Sequence, residues 1–442
     1  MRTNVPYKKL ISLIIKFCLV IGLLAAMYVP AGAAVTFIDV SALDATDVTG
    51  SGTDDAWNYS ATSRTLFLSA PNGEYKLTGT NTDLRTVIDF TATNATVHLS
   101  DVILMSNDYT FCINSRDSSI TLDGVNTIHC INGIEVLGYN YIGGYNYTGN
   151  NVTFNGTGCL TVFSVGRGIY LTPDVGISVE DTATVSFVSK GNFMAGMYSI
   201  GNSTIRVATG ATLNATGRDG IYAALQQPGI ILTLDVDGTL NALGDSTSPT
   251  NGRGLYAAVS SDATIRITGT GTVTATGTSG PGIDAGSTGT IELADCTVNA
   301  IGGAGQAAIN TLNKIKMNNA AKLTMEQNSS SSTSNYNFET SDTTSNYRWK
   351  LTGPDIGTTD PLTNDSISVS ITGITTGVIE RCPEYKIGDI NRDGDVNILD
   401  LSILLANFGK SGLAITDQRA DINEDGDVNI LDLSSLLANF GK

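Results

Sequence analysis

The chain of 442 residues has few charged side chains, and most of those it has are acidic. Only 15% of its residues are Asp, Glu, Lys or Arg, yet acids outnumber bases by 42 to 25, for a net charge of −17. Such a chain has no general attraction for nucleic acid or an anionic membrane, so we expect neither as a partner. Its 41% hydrophobic content excludes wholesale disorder, and its 48 glycines lack the three-residue period of collagen. Cations are the expected partners.

The chain lacks a Cys-x-x-Cys motif and any close pairing of cysteines. Cys18 lies near the N-terminus, and the other five are widely spaced: Cys112, Cys130, Cys159, Cys296 and Cys382. This spacing indicates neither a zinc site nor a disulfide scaffold. Because five is odd, at least one thiol remains free or pairs between chains once Cys18 is removed.

Long hydrophobic runs are also missing, except at the start of the chain. Arg2, Lys8 and Lys9 precede an apolar stretch over residues 10–29, which is followed by small residues at positions 31–34. A basic start, an apolar middle and a small-residue end predict a secretory signal peptide over residues 1–34. The alternative is an uncleaved anchor, but Lys16 leaves the run short of the ~20 residues that cross a bilayer. We therefore expect a secreted protein, extracellular or cell-surface associated, with no membrane span after cleavage.

A short apolar-polar-apolar pattern recurs through the centre of the chain, as in Ile120-Thr121-Leu122 and Ile205-Arg206-Val207. Copies return every 23 to 33 residues, and their second apolar residues are Leu99, Leu122, Phe154, Val179, Val207, Leu234, Ile267, Leu293 and Met317. Six residues later a further apolar residue follows in nearly every copy: Met105, Ile128, Leu160, Val185, Leu213, Leu240, Val273 and Leu323. The Leu293 copy differs, with Val298 five residues on.

This repeat predicts a right-handed parallel β-helix over residues 95–325, because period-two strands returning in the same order form a solenoid. A β-sandwich or an array of small β-domains is the alternative. A solenoid needs its ends covered, so residues 35–94 are the predicted N-terminal cap and residues 326–380 a C-terminal cap and loop. The Ser-, Thr- and Asn-rich segment 328–346 is expected to be a surface loop, and residues 381–386 a linker.

Two twelve-residue segments near the C-terminus carry oxygen-bearing side chains in the pattern of a calcium loop. They begin at Asp389 and Asp421 and have glycine at the sixth position. Calcium takes six to eight oxygen ligands, one of them a backbone carbonyl at position 7 and one often bound through water at position 9. The first predicted set is Asp389, Asn391, Asp393, Asp395 through its carbonyl, Asn397 and Asp400. The second is Asp421, Asn423, Asp425, Asp427, Asn429 and Asp432. The sequence therefore predicts two calcium ions.

Each loop leads into a segment with apolar residues at helical spacing. These residues are Leu401, Leu404, Leu405 and Phe408 in the first segment, and Leu433, Leu436, Leu437 and Phe440 in the second. Gly409 and Gly441 follow at the position of helix C-caps. We expect the two apolar stripes to pack on each other as a pseudo-twofold pair.

The segment 387–442 resembles a type I dockerin, because both loops lack an incoming helix, end in Asp and are followed by Leu-Ser. The resemblance implies a small all-α domain that folds with calcium and binds a cohesin domain on a scaffoldin or at the cell surface, as in a cellulosome. Loop positions 10 and 11, often Ser-Thr contacts to the cohesin in that family, are here Ile398-Leu399 and Ile430-Leu431. A basic pair usual later in the helix is replaced by Ala-Asn. These departures leave three alternatives open: a cohesin partner, another protein as partner, or a free-standing module with no partner.

The central region resembles the pectate-lyase-like parallel β-helix proteins that bind or cleave polysaccharides, so the fold expected from the whole sequence is mainly β. Catalysis is the less favoured interpretation: of the polygalacturonase motifs there is only an isolated Asn81-Thr82-Asp83, and neither His98 nor His129 is flanked by glycines. Carboxylates on successive coils can still meet at the spacing used for hydrolysis. A polysaccharide lyase or glycoside hydrolase acting on a pectin-type substrate therefore remains an alternative.

Four tyrosines recur in a Gly-aliphatic-Tyr motif and favour binding over catalysis. They are Tyr170, Tyr198, Tyr222 and Tyr256, and Arg167, Arg218 and Arg253 precede three of them. If the aliphatic residue points inward, alternation places the tyrosines outward in one column. Aromatic faces pack on sugar rings and guanidinium groups bind carboxylates, although a tyrosine stack can also simply stabilise a sheet. The sequence thus predicts a polysaccharide-binding protein, with a surface adhesin lacking a glycan ligand as a further alternative.

Overall fold

The computed structural model of the protein describes residues 35–43, 48–49, 57–81, 87–90, 94–105, 109–113, 118–136, 151–191, 194–225, 229–246, 252–259, 263–286, 288–311, 314–339, 348–352, 362–363, 367–382, 386–391 and 393–442. The predicted signal peptide, residues 1–34, and the loop segment 340–346 lie outside these ranges. Among the described residues, no helix is long and apolar enough to cross a membrane.

The described chain is mainly β-structure. The first strands are β1 (Thr36–Asp39), β2 (Val48–Thr49), β3 (Trp57–Ser60), β4 (Thr65–Leu68), β5 (Glu74–Asn81), β6 (Val87–Phe90), β7 (Thr96–Met105), β8 (Tyr109–Ile113), β9 (Ser118–Asp123), β10 (Val125–Cys130) and β11 (Asn132–Val136). The central strands are β12 (Asn151–Gly156), β13 (Cys159–Ser164), β14 (Ile169–Leu171), β15 (Val175–Val179), β16 (Thr184–Ser189), β17 (Met197–Ile200), β18 (Ser203–Val207), β19 (Thr212–Gly217), β20 (Ile221–Leu225), β21 (Ile231–Val236), β22 (Thr239–Gly244) and β23 (Leu255–Val259). The last strands are β24 (Thr264–Thr268), β25 (Thr272–Thr276), β26 (Ile283–Gly286), β27 (Thr290–Ala294), β28 (Thr297–Ile301), β29 (Ile309–Thr311), β30 (Lys314–Asn318), β31 (Lys322–Glu339), β32 (Arg348–Thr352), β33 (Leu362–Thr363) and β34 (Ile367–Cys382). Two α-helices follow, α1 (Ile398–Asn407) and α2 (Ile430–Asn439).

Through the central region each strand pairs in parallel with the third strand after it. β12 pairs with β15 and β15 with β18, while β13 pairs with β16 and β14 with β17. The pairings form three parallel ladders. Ladder 1 runs through β9, β12, β15, β18, β21, β24, β27 and β30, ladder 2 through β10, β13, β16, β19, β22, β25, β28 and β31, and ladder 3 through β11, β14, β17, β20, β23, β26 and β29. Ladders 1 and 2 belong to one 22-stranded sheet, and ladder 3 belongs to a 12-stranded sheet. The long parallel sheet expected from the repeat is confirmed.

The strands of the three ladders alternate between buried apolar and partly exposed polar residues. In β16, Val185 and Phe187 are buried, whereas Thr184 and Ser186 are partly exposed. The inward residues of all three ladders join one hydrophobic cluster that extends from Ile38 to Ile379. Burying these side chains together is the main source of stability for such a repeat, because a single coil cannot cover its own apolar face.

The register of the ladders agrees with most of the repeat and differs in four places. Leu213 pairs with Val185 and with Leu240, as expected. However, Phe154 pairs with Ile120 rather than Leu122, and Leu234 pairs with Ile205 rather than Val207. Likewise, Ile128 pairs with Val162 rather than Leu160. These three differences are shifts of two residues, which keep the same face buried, so an alternation pattern cannot reveal them. In the first copy, Leu104 rather than Met105 is the buried residue, and it pairs with Ile128.

The last coil ends in an antiparallel arrangement. β31 pairs with β34, and β34 also pairs with β32. The described part of the Ser- and Thr-rich segment, residues 328–339, lies within β31 and is not the surface loop expected from its composition. Tyr336 and Phe338 are only 1% and 4% exposed in this strand. Pairing with β34 and the burial of these two rings explain why a polar run is extended and ordered.

The C-terminal helices have a separate small core. Its buried members are Ile390, Val396, Leu404, Ile415, Ala420, Val428 and Leu436, with Leu401, Ile403, Ile422 and Leu433 packed against them. The predicted helix stripes are only partly correct, because Leu405, Leu437, Phe408 and Phe440 are 43% to 54% exposed. Residues of the two loops take their places in the core. Gly409 and Gly441 end the helices with a φ of 78°, as expected for helix C-caps.

Candidate functional site

The four predicted tyrosines occupy one position of ladder 3. Tyr170 pairs with Tyr198, Tyr198 with Tyr222, and Tyr222 with Tyr256. Each follows a fully buried aliphatic residue and is itself partly exposed. Alternation therefore places them together on the outer face, and we call these four residues the tyrosine column.

Neighbouring rings of the tyrosine column are in contact. The ring centroids are 5.8 Å apart for Tyr170 and Tyr198, 5.0 Å for Tyr198 and Tyr222, and 5.0 Å for Tyr222 and Tyr256. The last pair is stacked with an interplanar angle of 5°. Burial raises the pKa of Tyr170, Tyr222 and Tyr256 above the ordinary value near 10, so these phenols stay neutral at physiological pH. Aromatic pairs at such distances contribute about 0.5 to 1.5 kcal/mol each beyond burial.

The three predicted arginines lie against the tyrosine column. The guanidinium carbon of Arg167 lies 4.6 Å from the ring centroid of Tyr170 and 4.1 Å from that of Tyr198. Arg218 lies 5.8 Å from Tyr222, and Arg253 lies 3.5 Å from the neighbouring ring of Tyr256. A guanidinium within about 6 Å of a ring centroid is attracted to the ring face. The structure thus brings all seven predicted residues together.

Two buried carboxylates hold the arginines at one end of the column. Asp219 has a fully buried side chain, with Oδ2 3.0 Å from Arg218 Nε and Oδ1 3.7 Å from Arg253 Nη1. Asp284 lies 2.9 Å from Arg253 Nε and also accepts a hydrogen bond from the amide side chain of Asn310 at 2.9 Å. Burial raises the pKa of Asp284, which Arg253 partly offsets. These contacts fix the planes of two guanidinium groups over their rings.

The column continues beyond the tyrosines into acidic residues, which the sequence analysis missed. Glu135 pairs with Tyr170 at one end, and Asp284 pairs with Tyr256 at the other. Burial raises the pKa of Glu135, while Arg167 opposes that shift. The signal was present in the sequence, because Gly133-Ile134-Glu135 and Gly282-Ile283-Asp284 repeat the Gly-aliphatic motif with an acid in place of tyrosine.

The first predicted calcium loop brings three carboxylates together. Oxygens of Asp389, Asp393 and Asp400 lie within 4.8 Å of one another, the only such cluster of His, Cys, Asp or Glu side chains in the described part of the chain. Asp389 accepts hydrogen bonds from the backbone N–H groups of Asp393 and Gly394 at 3.1 and 2.9 Å. Gly394 adopts a φ of 100°, which a sharp turn at loop position 6 requires.

The second loop repeats this hydrogen-bonding pattern. Asp421 accepts from the backbone N–H groups of Asp425 and Gly426 at 3.1 and 2.8 Å. Asp432, at loop position 12, accepts from Asn429 N at 2.8 Å, as Asp400 does from Asn397 N at 2.8 Å. Each of these aspartates is buried at the third residue of its helix, where it forms a capping box with the preceding asparagine. Each loop brings side-chain oxygens close together, and one carboxylate comes from the first turn of the following helix. This arrangement fits a calcium ion.

Residues 387–440 match the family model of the type I dockerin domain. This segment is a type I dockerin. Type I dockerins bind calcium and attach to cohesin domains on a scaffold, and proteins that carry them are typically extracellular or cell-surface associated. No curated protein and no solved structure matches the chain.

The dockerin exposes two apolar pairs at the predicted cohesin-contact positions. Ile398 and Leu399 are 64% and 55% exposed at the start of α1, and Ile430 and Leu431 are 61% and 57% exposed at the start of α2. The two pairs occupy the same place in both halves of the domain, directly after the calcium loops. Each half of the dockerin therefore presents two large apolar side chains to solvent at the start of its helix.

Proposed function

We propose that the protein is a secreted polysaccharide-binding protein tethered through its dockerin. In this proposal the central region is a right-handed parallel β-helix, the tyrosine column binds the polysaccharide, and the dockerin holds two calcium ions. The dockerin attaches the protein to a cohesin domain on a scaffold or cell surface, where it takes part in polysaccharide degradation. The observation that carries the proposal is the in-register column of four tyrosines with arginines against their rings.

The chemistry of the column suits an extended sugar chain. Parallel strands are spaced by about 4.8 Å, so the column presents ring faces and phenol hydroxyls at short, repeated intervals. The apolar faces of pyranose rings pack on aromatic rings, while phenol and guanidinium groups donate hydrogen bonds to sugar hydroxyls. A polymer lying along the column would make the same contacts on successive coils.

Two of the three carboxylates beside the column, those of Asp219 and Asp284, favour binding rather than hydrolysis. Glycosidases use two carboxyl groups that flank the scissile bond and reach the substrate. Asp219 is fully buried and paired with Arg218 and Arg253, and Asp284 is paired with Arg253. In these positions the carboxylates orient the arginines.

The proposal is tested by retention of the purified protein on insoluble or gel-immobilised polygalacturonate, xylan and cellulose, with product release measured in parallel. We expect retention without reducing or unsaturated ends. Tyr198→Ala should weaken retention, and Tyr198→Phe, which keeps the ring, should retain most of it. Unchanged retention of a folded Tyr198→Ala variant would exclude the column as the binding surface. Release of reducing or unsaturated ends would favour an enzyme. Cell attachment that does not depend on a glycan would favour an adhesin.

The cohesin part of the proposal has its own test. Because the apolar pairs occur in both halves of the dockerin, either pair can serve as the contact. Replacing Ile398 and Leu399 with Ser, or Ile430 and Leu431 with Ser, should each leave binding to a cohesin measurable, whereas all four replacements should abolish it. Binding that persists in the calcium-loaded quadruple variant would place the contact elsewhere on the domain.

A further inference from the structure

The three arginines of the column differ in how their charges are balanced. The guanidinium groups of Arg218 and Arg253 are paired with Asp219 and Asp284. Arg167 makes no ion pair with any described residue, and its buried Nε has no hydrogen-bond partner among them. Glu135 interacts with it electrostatically but does not approach within the distance of an ion pair.

Burying part of the Arg167 guanidinium without an ion-pair partner among the described residues costs free energy. A ligand that pairs with the guanidinium would offset this cost. Arg167 is packed on the rings of Tyr170 and Tyr198, which limits its access to water. Its preferred partner is a planar anion, because the guanidinium fork matches the geometry of a carboxylate. The two tyrosine rings also restrict its plane, so less conformational freedom is lost on binding.

We propose that Arg167 is the residue that selects a carboxylated sugar unit, so the ligand of the tyrosine column is a polymer containing uronate residues. This inference rests on the proposed binding role of the column. The carboxylate of one sugar unit pairs with Arg167 beside Tyr170 and Tyr198. A unit that lies over Tyr222 and Tyr256 meets arginines already neutralised by Asp219 and Asp284, so that end of the column is indifferent to a carboxylate.

Close pairing with an arginine is the electrostatic attraction that the described residues around the column offer such a ligand. The protein carries a net charge of −17, so its overall field repels an anionic polymer. Around the column, the charges of Arg167, Arg218 and Arg253 are opposed by those of Glu135, Asp219 and Asp284. Removing the carboxylate of Glu135 from this set should therefore strengthen the attraction of Arg167 for a uronate.

The test compares soluble oligogalacturonates with their fully methyl-esterified forms by calorimetry, at fixed calcium concentration, using the whole protein. We expect the acid form to bind at least about tenfold more tightly, the usual effect of one charge-assisted hydrogen-bonded pair. Arg167→Gln should remove this preference by weakening the acid form alone. Glu135→Gln should increase affinity for the acid form, a gain that misfolding cannot produce. Arg206→Gln is the matched control, since Arg206 is 55% exposed on ladder 1 and removing it lowers the charge equally.

The outcomes separate this inference from the proposed function. Equal affinity for acid and ester, or a preference that survives in a folded Arg167→Gln variant, would overturn the role of Arg167. If Tyr198→Ala still weakened both forms in that case, the column would remain the binding surface. If neither Tyr198→Ala nor Arg167→Gln changed any affinity, the binding role of the column would fall together with the inference.

Discussion

The guanidinium carbon of Arg253 lies 3.5 Å from the ring centroid of Tyr256. The same guanidinium reaches Asp284 through Nε at 2.9 Å and Asp219 through Nη1 at 3.7 Å. One side chain therefore joins a partly exposed ring to two buried carboxylates. The tyrosine rings, the arginines and the buried carboxylates therefore form one network. Substituting a buried carboxylate should change the positions of the arginines and of the rings that they contact.

Asp219→Asn should destabilise the central region by about 3 kcal/mol, because it leaves the largely buried guanidinium of Arg218 without its carboxylate partner and that of Arg253 with Asp284 alone. Asp235→Asn is the control: Asp235 is 42% exposed and lies 3.9 Å from Arg206, a pair expected to contribute at most about 0.5 kcal/mol. Urea unfolding followed by circular dichroism measures both. A loss for Asp219→Asn no greater than the control would show that Asp219 does not hold the arginines.

The pH dependence of stability should change when Glu135 is replaced by Gln. Burial raises the pKa of Glu135 above its ordinary value of 4.5, so the folded protein binds a proton more readily than the unfolded chain. The stability contributed by this group is fully present below the ordinary pKa and is lost as pH rises through the raised pKa. The melting temperature of Glu135→Gln, relative to the unmodified protein, should therefore rise with pH across this window.

Asp237→Asn provides a control of opposite sign for that measurement. Hydrogen bonds from the backbone and side chain of Thr270 lower the pKa of Asp237. Its contribution is present above the ordinary pKa and lost as pH falls through the lowered one. The relative melting temperature of Asp237→Asn should fall as pH rises. Parallel curves for the two variants would contradict the assignment of Glu135.

Cys296 should be unreactive in the folded protein. Its side chain is buried, and burial raises the pKa of its thiol to about 11, so little thiolate forms at pH 8. Alkylation with iodoacetamide followed by peptide mass spectrometry should leave Cys296 unmodified and label Cys159, which is only half-buried, more quickly. Both should react after unfolding. Equal rates in the folded protein would indicate that ladder 2 opens locally around Cys296.

Calcium binding should be lost one site at a time. Asp400→Ala removes a predicted ligand of the first loop and Asp432→Ala the equivalent predicted ligand of the second, so calorimetric stoichiometry should fall from the proposed two to one in each and to zero in the double variant. Glu424→Gln is the matched control, because Glu424 lies in the second loop at a position that is not a predicted ligand. A stoichiometry of one in the unmodified protein would leave a single site.

The tyrosine column and the calcium loops could be predicted because each rests on a short motif that is repeated. Gly-aliphatic-Tyr occurs in four successive coils, and the loop pattern occurs twice at the same offset. Strand alternation then fixes the face on which the tyrosines lie, whatever the exact register. The two-residue shifts at Phe154 and Leu234 therefore did not affect that prediction.

The remaining features depend on contacts between residues far apart in the chain. The pairing of Arg253 with Asp219 joins residues 34 positions apart across neighbouring coils. The ordering of residues 328–339 depends on β34, which a composition rich in Ser and Thr does not reveal. The exposure of Leu405 and Phe408 follows from a dockerin core filled in part by Ile390, Val396 and other loop residues. Helical spacing alone does not determine which side of a helix those loops cover.

The glycine two positions before each tyrosine restricts how the protein can change in length. A side chain at Gly196 would place its first carbon 2.5 Å from Thr216 N, and one at Gly254 would lie 2.5 Å from Thr276 N. Because no larger residue fits at these positions, neighbouring coils keep the same register. Gene duplication or deletion can therefore lengthen or shorten the tyrosine column only by whole coils, and each coil with the Gly-aliphatic-Tyr motif adds or removes one ring. Affinity for a long polymer would then evolve in discrete steps.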